Sequence, residues 1–250
     1  MDQPAFQAEG VTLFLGDCRK LLAEMGDACV DHTITDPPYD ERTHKGARYG
    51  GDGKAGSLID FAPLQDIPGL TKELLRVTRR WVIAFTGICM CGDWEKAANA
   101  QWVRAGIWLK PDAAPQFTGD RPAMGVDAIA IMHRPGKKRW NGGGKPAVWT
   151  CCIERKNRCH PTQKPLALMK QLILDFTDPG ELVADWYAGS GTTAVACIET
   201  GRRFLGCELR EDYHAAAVRR IENALRVRAA QPELFDQPQR VRTVKQLGLL

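Results

Sequence analysis

Four consecutive residues, Asp36-Pro37-Pro38-Tyr39, combine a carboxylate, two ring-locked prolines and an aromatic ring. They follow an apolar run over residues 30–35 that reads as a strand, so the carboxylate stands at a strand's carboxyl end. Each proline holds φ at about −65° and lacks a backbone N–H, so the corner presents carbonyl acceptors without competing donors. A rigid acceptor pocket beside a stacking ring suits one task well: gripping a planar base by its exocyclic amine. The plainer alternative is a Pro-rich turn in which Tyr39 covers the core.

A second cluster lies far along the chain. Asp185-Trp186-Tyr187-Ala188-Gly189-Ser190-Gly191-Thr192-Thr193 follows one apolar run and opens an amphipathic one. Gly189 and Gly191 would let a ligand approach the backbone, and a helix start offers unpaired N–H groups. One strand later stands Glu208, where an acidic group can take both hydroxyls of a ribose. Three cofactor classes compete for this pattern. The third glycine of a dinucleotide fingerprint is missing, and no Gly-Lys-Ser/Thr follows to cradle ATP phosphates. S-adenosylmethionine needs no phosphate cradle; it needs an acid for the ribose and an acceptor for the adenine amine. Asp185, Glu208 and Asp17 could supply such groups. A tight strand–helix turn without a ligand is the alternative.

The elements around these residues alternate. Val11–Leu15 reads as a strand ending at Gly16-Asp17, with Asp17 able to cap a helix through Leu21, Leu22 and Met25. Residues 70–78 read as a helix, 81–85 as a strand buried on both faces, and 93–103 as a helix. Residues 107–109 and 126–132 are further strands. After residue 165 the spacing predicts a helix to 176, a strand over 182–186, a helix to 200 and a strand over 203–207. A final helix carries the stripe Tyr213, Ala217, Ile221 and Leu225. Strands alternating with helices imply a Rossmann-like, doubly wound, mostly parallel α/β sheet. In such sheets ligands bind beyond the carboxyl ends of the strands. Asp17, Asp36, Asp185 and Glu208 should therefore line one rim.

Bulk properties narrow the class. A hydrophobic share of 44% and a charged share of 26% suit a globular chain able to bury a core. No apolar run is long enough to span a bilayer, and residues 1–10 lack the basic start and apolar centre of a signal peptide; a cytoplasmic protein is expected. The nine cysteines do not suggest a disulfide framework. Cys89, Cys91, Cys197 and Cys207 sit in apolar runs and read as small buried hydrophobes. Cys151, Cys152, Cys159 and His160 match no familiar metal spacing, so no metal is expected.

The Asp36 to Tyr39 corner, the run His160-Pro161-Thr162-Gln163-Lys164-Pro165 and the Asp185 to Thr193 loop together resemble the amino-methylating DNA methyltransferases. Their order, with the catalytic corner first and the cofactor loop last, is that of the family's permuted beta group. The likeness spans about residues 11–225. It implies a circularly permuted S-adenosylmethionine-dependent fold and methylation of an amine on a flipped-out base in double-stranded DNA. By this likeness Asp36 and the Pro37 carbonyl would accept from the amine, Pro38 would stiffen the corner and Tyr39 would stack on the base. Asp17, Asp185, Tyr187, Ala188, Gly189, Ser190, Gly191, Thr192, Thr193 and Glu208 would hold S-adenosylmethionine. His160, Thr162 and Lys164 would act near its methionine end. Trp186-Tyr187 departs from the family's usual Pro-Phe. Asp-Pro-Pro-Tyr usually accompanies adenine N6, which is the favoured target over cytosine N4. A non-catalytic nucleotide- or DNA-binding regulator on the same sheet is the alternative from another class.

DNA contact is expected from two basic stretches. The net charge is only +4, but residues 134–158 concentrate Lys137, Lys138, Arg139, Arg155, Lys156 and Arg158. Residues 110–159, rich in Pro, Gly and basic groups, read as an inserted target-recognition lobe. The flanking stretches 1–109 and 160–230 form the catalytic domain, and 231–250 a flexible tail. Arg42, Lys45 and Arg48 lie in a glycine-rich loop after the catalytic corner. Trp140 and Trp149 read as core before DNA wedges. The short lobe leaves room for a homodimer that shares recognition. Gln231-Pro232-Glu233-Leu234-Phe235 resembles peptides that dock on bacterial sliding clamps, with a chance match as the simpler reading.

Overall fold

The structure is a computed structural model that describes residues 3–40, 63–155 and 162–230. In chain order its strands are β1 (Phe6–Ala8), β2 (Val11–Leu15), β3 (His32–Thr35), β4 (Trp81–Thr86), β5 (Trp102–Leu109), β6 (Val126–His133), β7 (Val148–Thr150), β8 (Leu182–Asp185) and β9 (Arg203–Glu208). The helices are α1 (Cys18–Glu24), α2 (Ile67–Val77), α3 (Cys91–Ala98), α4 (Leu166–Phe176), α5 (Thr192–Thr200) and α6 (Glu211–Ala230). One sheet takes the order β1-β2-β9-β8-β3-β4-β6-β5-β7. The five strands from β2 to β4 in that order run parallel, and β6 turns antiparallel between β4 and β5.

Alternation along the strands builds two cores. Trp81, Ile83 and Phe85 of β4 face α4, α5 and α6, packing with Leu168, Leu172, Phe176, Ala194 and Ile221. Val82 and Ala84 face the other way, against Leu22 of α1, Leu74 of α2 and Trp94 of α3. The connection from β8 to β9 runs through α5 on the first face. The connection from β3 to β4 runs through α2 on the second. The crossovers therefore part between β8 and β3, the place where sheets of this kind open a ligand crevice. Among the described residues no helix is long and apolar enough to cross a membrane.

Several sequence-based expectations need correction. The helix expected over 93–103 stops at Ala98, where Asn99 takes φ +49° and a short 3-10 turn follows. Trp102 and Val103, both strand formers, instead begin β5, with Trp102 opposite Met132 of β6. Within the stretch read as a lobe, the described residues 110–155 supply β6, third from one edge of the same sheet, and β7 at that edge. β1 was not foreseen; it folds back onto β2 through Glu9 and Gly10, both at positive φ. Cys89 is exposed and Cys91 half-buried rather than core, because they flank the start of α3, whereas Cys197 and Cys207 are buried as expected. The tryptophans are core: Trp149 is fully buried, and Trp140 packs on Phe176 at 4.9 Å between ring centroids.

Edge strand β7 is pinned to α4 by a buried carboxylate. Asp175 accepts from Trp149 Nε1 at 2.8 Å and pairs with Lys145. Asp175→Ala should leave the indole N–H without a partner and lower stability by about 2–3 kcal/mol in urea unfolding.

Candidate active site

The sequence residues converge as the sheet topology requires. β2, β9, β8, β3 and β4 end on one rim, which carries Asp17, Glu208, Asp185 and Asp36 in spatial order. Asp185 sits at its centre, 3% exposed. Its Oδ1 accepts from the Thr35 hydroxyl at 2.8 Å and the Tyr187 N–H at 3.1 Å. Its Oδ2 accepts from the Thr193 hydroxyl at 2.5 Å. Burial pushes this carboxyl up to about 6, against the pull of the Thr193 and Thr35 hydroxyls. Asp185 is thus turned inward as the clamp of the loop.

Trp186 fits where the sequence left the turn in question. Its indole is buried in the α1–α3 core, and Nε1 donates to the Thr33 hydroxyl at 3.3 Å. Tyr187 packs against the same core. The Ala188 N–H donates to the Cys207 carbonyl at 2.9 Å, binding the loop to β9. Gly189 and Gly191 both take positive φ, +52° and +75°, for different reasons. A Cβ on Gly189 would meet nothing nearer than the Tyr187 carbonyl at 4.0 Å, so this side of the loop is open. A Cβ on Gly191 would lie 2.9 Å from the Ala217 Cβ, so this glycine serves the contact between α5 and α6.

Glu208 closes the other side of the loop. Its Oε2 accepts from Gly189 N–H at 2.7 Å and Oε1 from Arg210 N–H at 2.9 Å. Burial raises its pKa, while these N–H groups oppose the rise. A carboxylate has acceptor capacity beyond two such bonds, enough for a pair of ribose hydroxyls. Asp17 caps α1 through Arg19 N–H at 3.0 Å, and the Arg19 guanidinium holds its carboxyl below the usual range. Ser190 donates to Gln163 Oε1 at 3.1 Å, and Arg220 of α6 donates to the Ser190 carbonyl at 2.6 Å and the Thr192 hydroxyl at 3.0 Å. Gln163 belongs to the His160 to Pro165 run singled out from sequence; Arg220 was not singled out. Thr162 begins the described part of this segment; His160 lies outside the described residues.

The catalytic corner is more crowded than the sequence suggests. Pro37 is buried, and Pro38 and Tyr39 are half-buried rather than exposed. Lys164, expected near the cofactor, places Nζ 2.5 Å from Asp36 Oδ2. Its ammonium lies 4.9, 5.5 and 6.0 Å from the ring centroids of Phe85, Tyr39 and Trp108. Among the described residues, Asp36 Oδ1 and the Tyr39 hydroxyl are buried with no hydrogen-bond partner. Beside them Lys110 pairs with Asp127 at 2.6 Å and sits 4.6 Å over Trp108. Burial raises the Asp36 pKa, with Lys164 pulling it back. Burial, then Asp36 and Asp127, push Tyr39 well above its usual value. The one sequence signal for Asp127 was a charged residue inside the apolar run of β6.

The basic residues divide. Lys137, Lys138 and Arg139 do not reach the rim. With Arg80 they line a surface cavity of about 460 Å³. The Arg139 carbonyl accepts from Trp81 Nε1 at 2.6 Å, at the start of β4. That is roughly 17 Å of strand away from the rim. Their place follows from β6, which returns the chain to the far edge. Arg155 does lie on the rim side, beyond the carboxyl end of β7, and binds Asp112 at 3.1 Å. Arg42, Lys45, Arg48, Lys156, Arg158 and Gln231 to Phe235 lie outside the described residues.

Comparison with known proteins adds to this geometry. A family model described as "DNA methylase" matches residues 133–219. The chain is 30% identical over 234 residues to "Putative methylase YubD" of Escherichia coli (strain K12), covering 88% of this chain and 95% of that one. The structure resembles the M1.HpyAVI–SAM complex, with a TM-score of 0.64 at 22% identity over 84% of this chain and 99% of that one. It also resembles the cytosine-N4-specific PvuII DNA methyltransferase, with a TM-score of 0.65 at 15% identity over 90% and 93% of the two chains. These structural likenesses carry the fold, a permuted methyltransferase sheet.

The two loop glycines should respond differently to substitution. Gly191→Ala combines left-handed strain with the Ala217 contact and should cost about 2–4 kcal/mol, whereas Gly189→Ala should cost about 1–2 kcal/mol. Urea unfolding of both variants checks the order.

Proposed function

The chain belongs to the family of N6-adenine and N4-cytosine DNA methylases, and from that premise we propose that it methylates the exocyclic N6 of adenine in a flipped-out base of double-stranded DNA. The coarser activity, S-adenosylmethionine-dependent methylation of a base amine in DNA, goes with the family. The observation that carries the reading is adjacency. Asp36 follows Thr35, whose hydroxyl is bonded to Asp185 under the cofactor loop. A base held at Asp36 therefore faces whatever the loop holds.

The cofactor residues suit S-adenosylmethionine. Glu208 retains acceptor capacity for ribose hydroxyls, and the open side of Gly189 leaves room where a side chain would intrude. When bound, the cofactor supplies an electrophilic methyl group on a sulfonium. Asp185 shapes the loop from beneath, and Gln163 with Arg220 fixes its far end.

The chain's own chemistry lies in the acceptors at the corner. A base amine is a poor nucleophile because its lone pair is delocalised into the ring. Hydrogen bonds from its N–H groups to Asp36 and the Pro37 carbonyl would draw the nitrogen toward tetrahedral geometry. A carboxylate beside the amine also favours the positive charge that develops there. Tyr39, half-buried, offers a ring surface to an extruded base, backed by the buried Phe85 and Trp108; such stacking is worth roughly 1–3 kcal/mol per base. DNA would be held by Arg155, on the rim side, and by Arg42, Lys45, Arg48, Lys156 and Arg158, which lie outside the described residues.

The form Asp-Pro-Pro-Tyr supports adenine. Mass spectrometry of nucleosides from DNA methylated by the protein should find N6-methyladenine; N4-methylcytosine instead would overturn that choice. Asp36→Ala should lower methyl transfer by about 10³-fold while calorimetry still detects S-adenosylmethionine binding. Normal turnover in this variant would sink the mechanism.

A further inference from the structure

Lys164 sits where the target amine is expected. Its ammonium donates to Asp36 Oδ2 at 2.5 Å and is ringed by Phe85, Tyr39 and Trp108. Its side chain is only 10% exposed. Among the described residues, Asp36 Oδ1, the other acceptor, is buried with no hydrogen-bond partner, as is the Tyr39 hydroxyl. A cation and a flat base compete for the same surroundings, since aromatic faces attract ammonium groups and stack bases alike. They also compete for the same oxygen.

We propose that Lys164 is a displaceable stand-in for the target base, holding Asp36 through an N–H donor until an extruded base replaces it. The proposal rests on the reading that Asp36 grips the target amine. Three features support displacement rather than permanent pairing. An ammonium against Oδ2 obstructs a second donor at that oxygen. A fixed ammonium beside an amine gaining positive charge would oppose the reaction by like-charge repulsion. And a second seat exists nearby: Asp127, on the same face of the sheet as Phe85 and close to Trp108, has acceptor capacity beyond its bond to Lys110. While in place, Lys164 also opposes the rise in the Asp36 pKa that burial causes, so it acts as a positioning residue for the incoming base.

The groups facing Asp36 are Lys164 ahead of α4, Tyr39 of the same corner, Asp127 of β6 with its partner Lys110, and Asp185 of β8. Lys164 lowers the Asp36 pKa, so its removal raises that pKa and leaves less carboxylate at a given acidic pH. The pH profile of kcat/KM reports Asp36 in the free enzyme, and the single-turnover rate with DNA saturated by enzyme reports it in the complex. Unmethylated genomic DNA and labelled S-adenosylmethionine serve as substrates.

Lys164→Met should move the acid limb of kcat/KM to higher pH by about 1–3 units. It should leave the acid limb of the single-turnover rate in place, because Lys164 has already withdrawn in that complex. Lys164→Arg, which keeps the charge, should restore the kcat/KM limb. Equal shifts of both limbs would mean that Lys164 stays on Asp36 throughout, and no shift of either would mean that it does not rest there; each overturns the proposal. Lys164→Gln repeats the measurement should the methionine variant fail to fold. Asp36→Ala, which removes the acceptor altogether, separates the two levels: continued methylation in that variant defeats the underlying reading, whereas its loss together with equal Lys164→Met shifts defeats the stand-in alone.

Discussion

The Asp185 carboxylate is the constraint on which the site depends. It joins the Thr35 hydroxyl at the end of β3 to the Thr193 hydroxyl and the Tyr187 N–H of the cofactor loop. Asp36 is the next residue after Thr35, so one buried group sets the distance between the catalytic corner and the cofactor loop. The link spans β8 and β3, where the crossovers part to opposite faces of the sheet. Burying a carboxylate is costly, and its donors offset that cost. A rigid link of this kind suits a reaction whose rate depends chiefly on holding two reactants in line.

A second layer of charge lies above this link. Asp36 with Lys164, and Asp127 with Lys110, form two ion pairs around Trp108. Both are largely shielded from water, which strengthens the attraction within each pair and raises the cost of parting it. The pocket is therefore polar at its oxygen atoms and aromatic at its walls.

Much of this was legible in the chain. The apolar runs of β2, β4, β8 and β9, the capping Asp17 and the stripe ending in Ile221 and Leu225 gave the alternating elements and hence one rim. The departure at Trp186 was legible too, but not its reason: the indole fills the α1–α3 core and bonds to Thr33. The short strands β1 and β7 were missed because three residues carry little periodicity. That β6 joins the main sheet was not legible, because the Pro, Gly and basic loops around it outweigh its apolar run.

The sequence by itself determined which residue types stand at strand ends. In a largely parallel sheet that is enough to bring Asp17, Asp36, Asp185 and Glu208 to one rim, since strand direction alone decides the edge. Only the tertiary structure decided what each side chain touches there. Asp185 turns inward, Lys164 rests on Asp36 across 128 positions of chain, and Lys137 to Arg139 line the far edge because β6 runs antiparallel. Those outcomes depend on strand order and on contacts between distant segments, and local spacing carries no record of either.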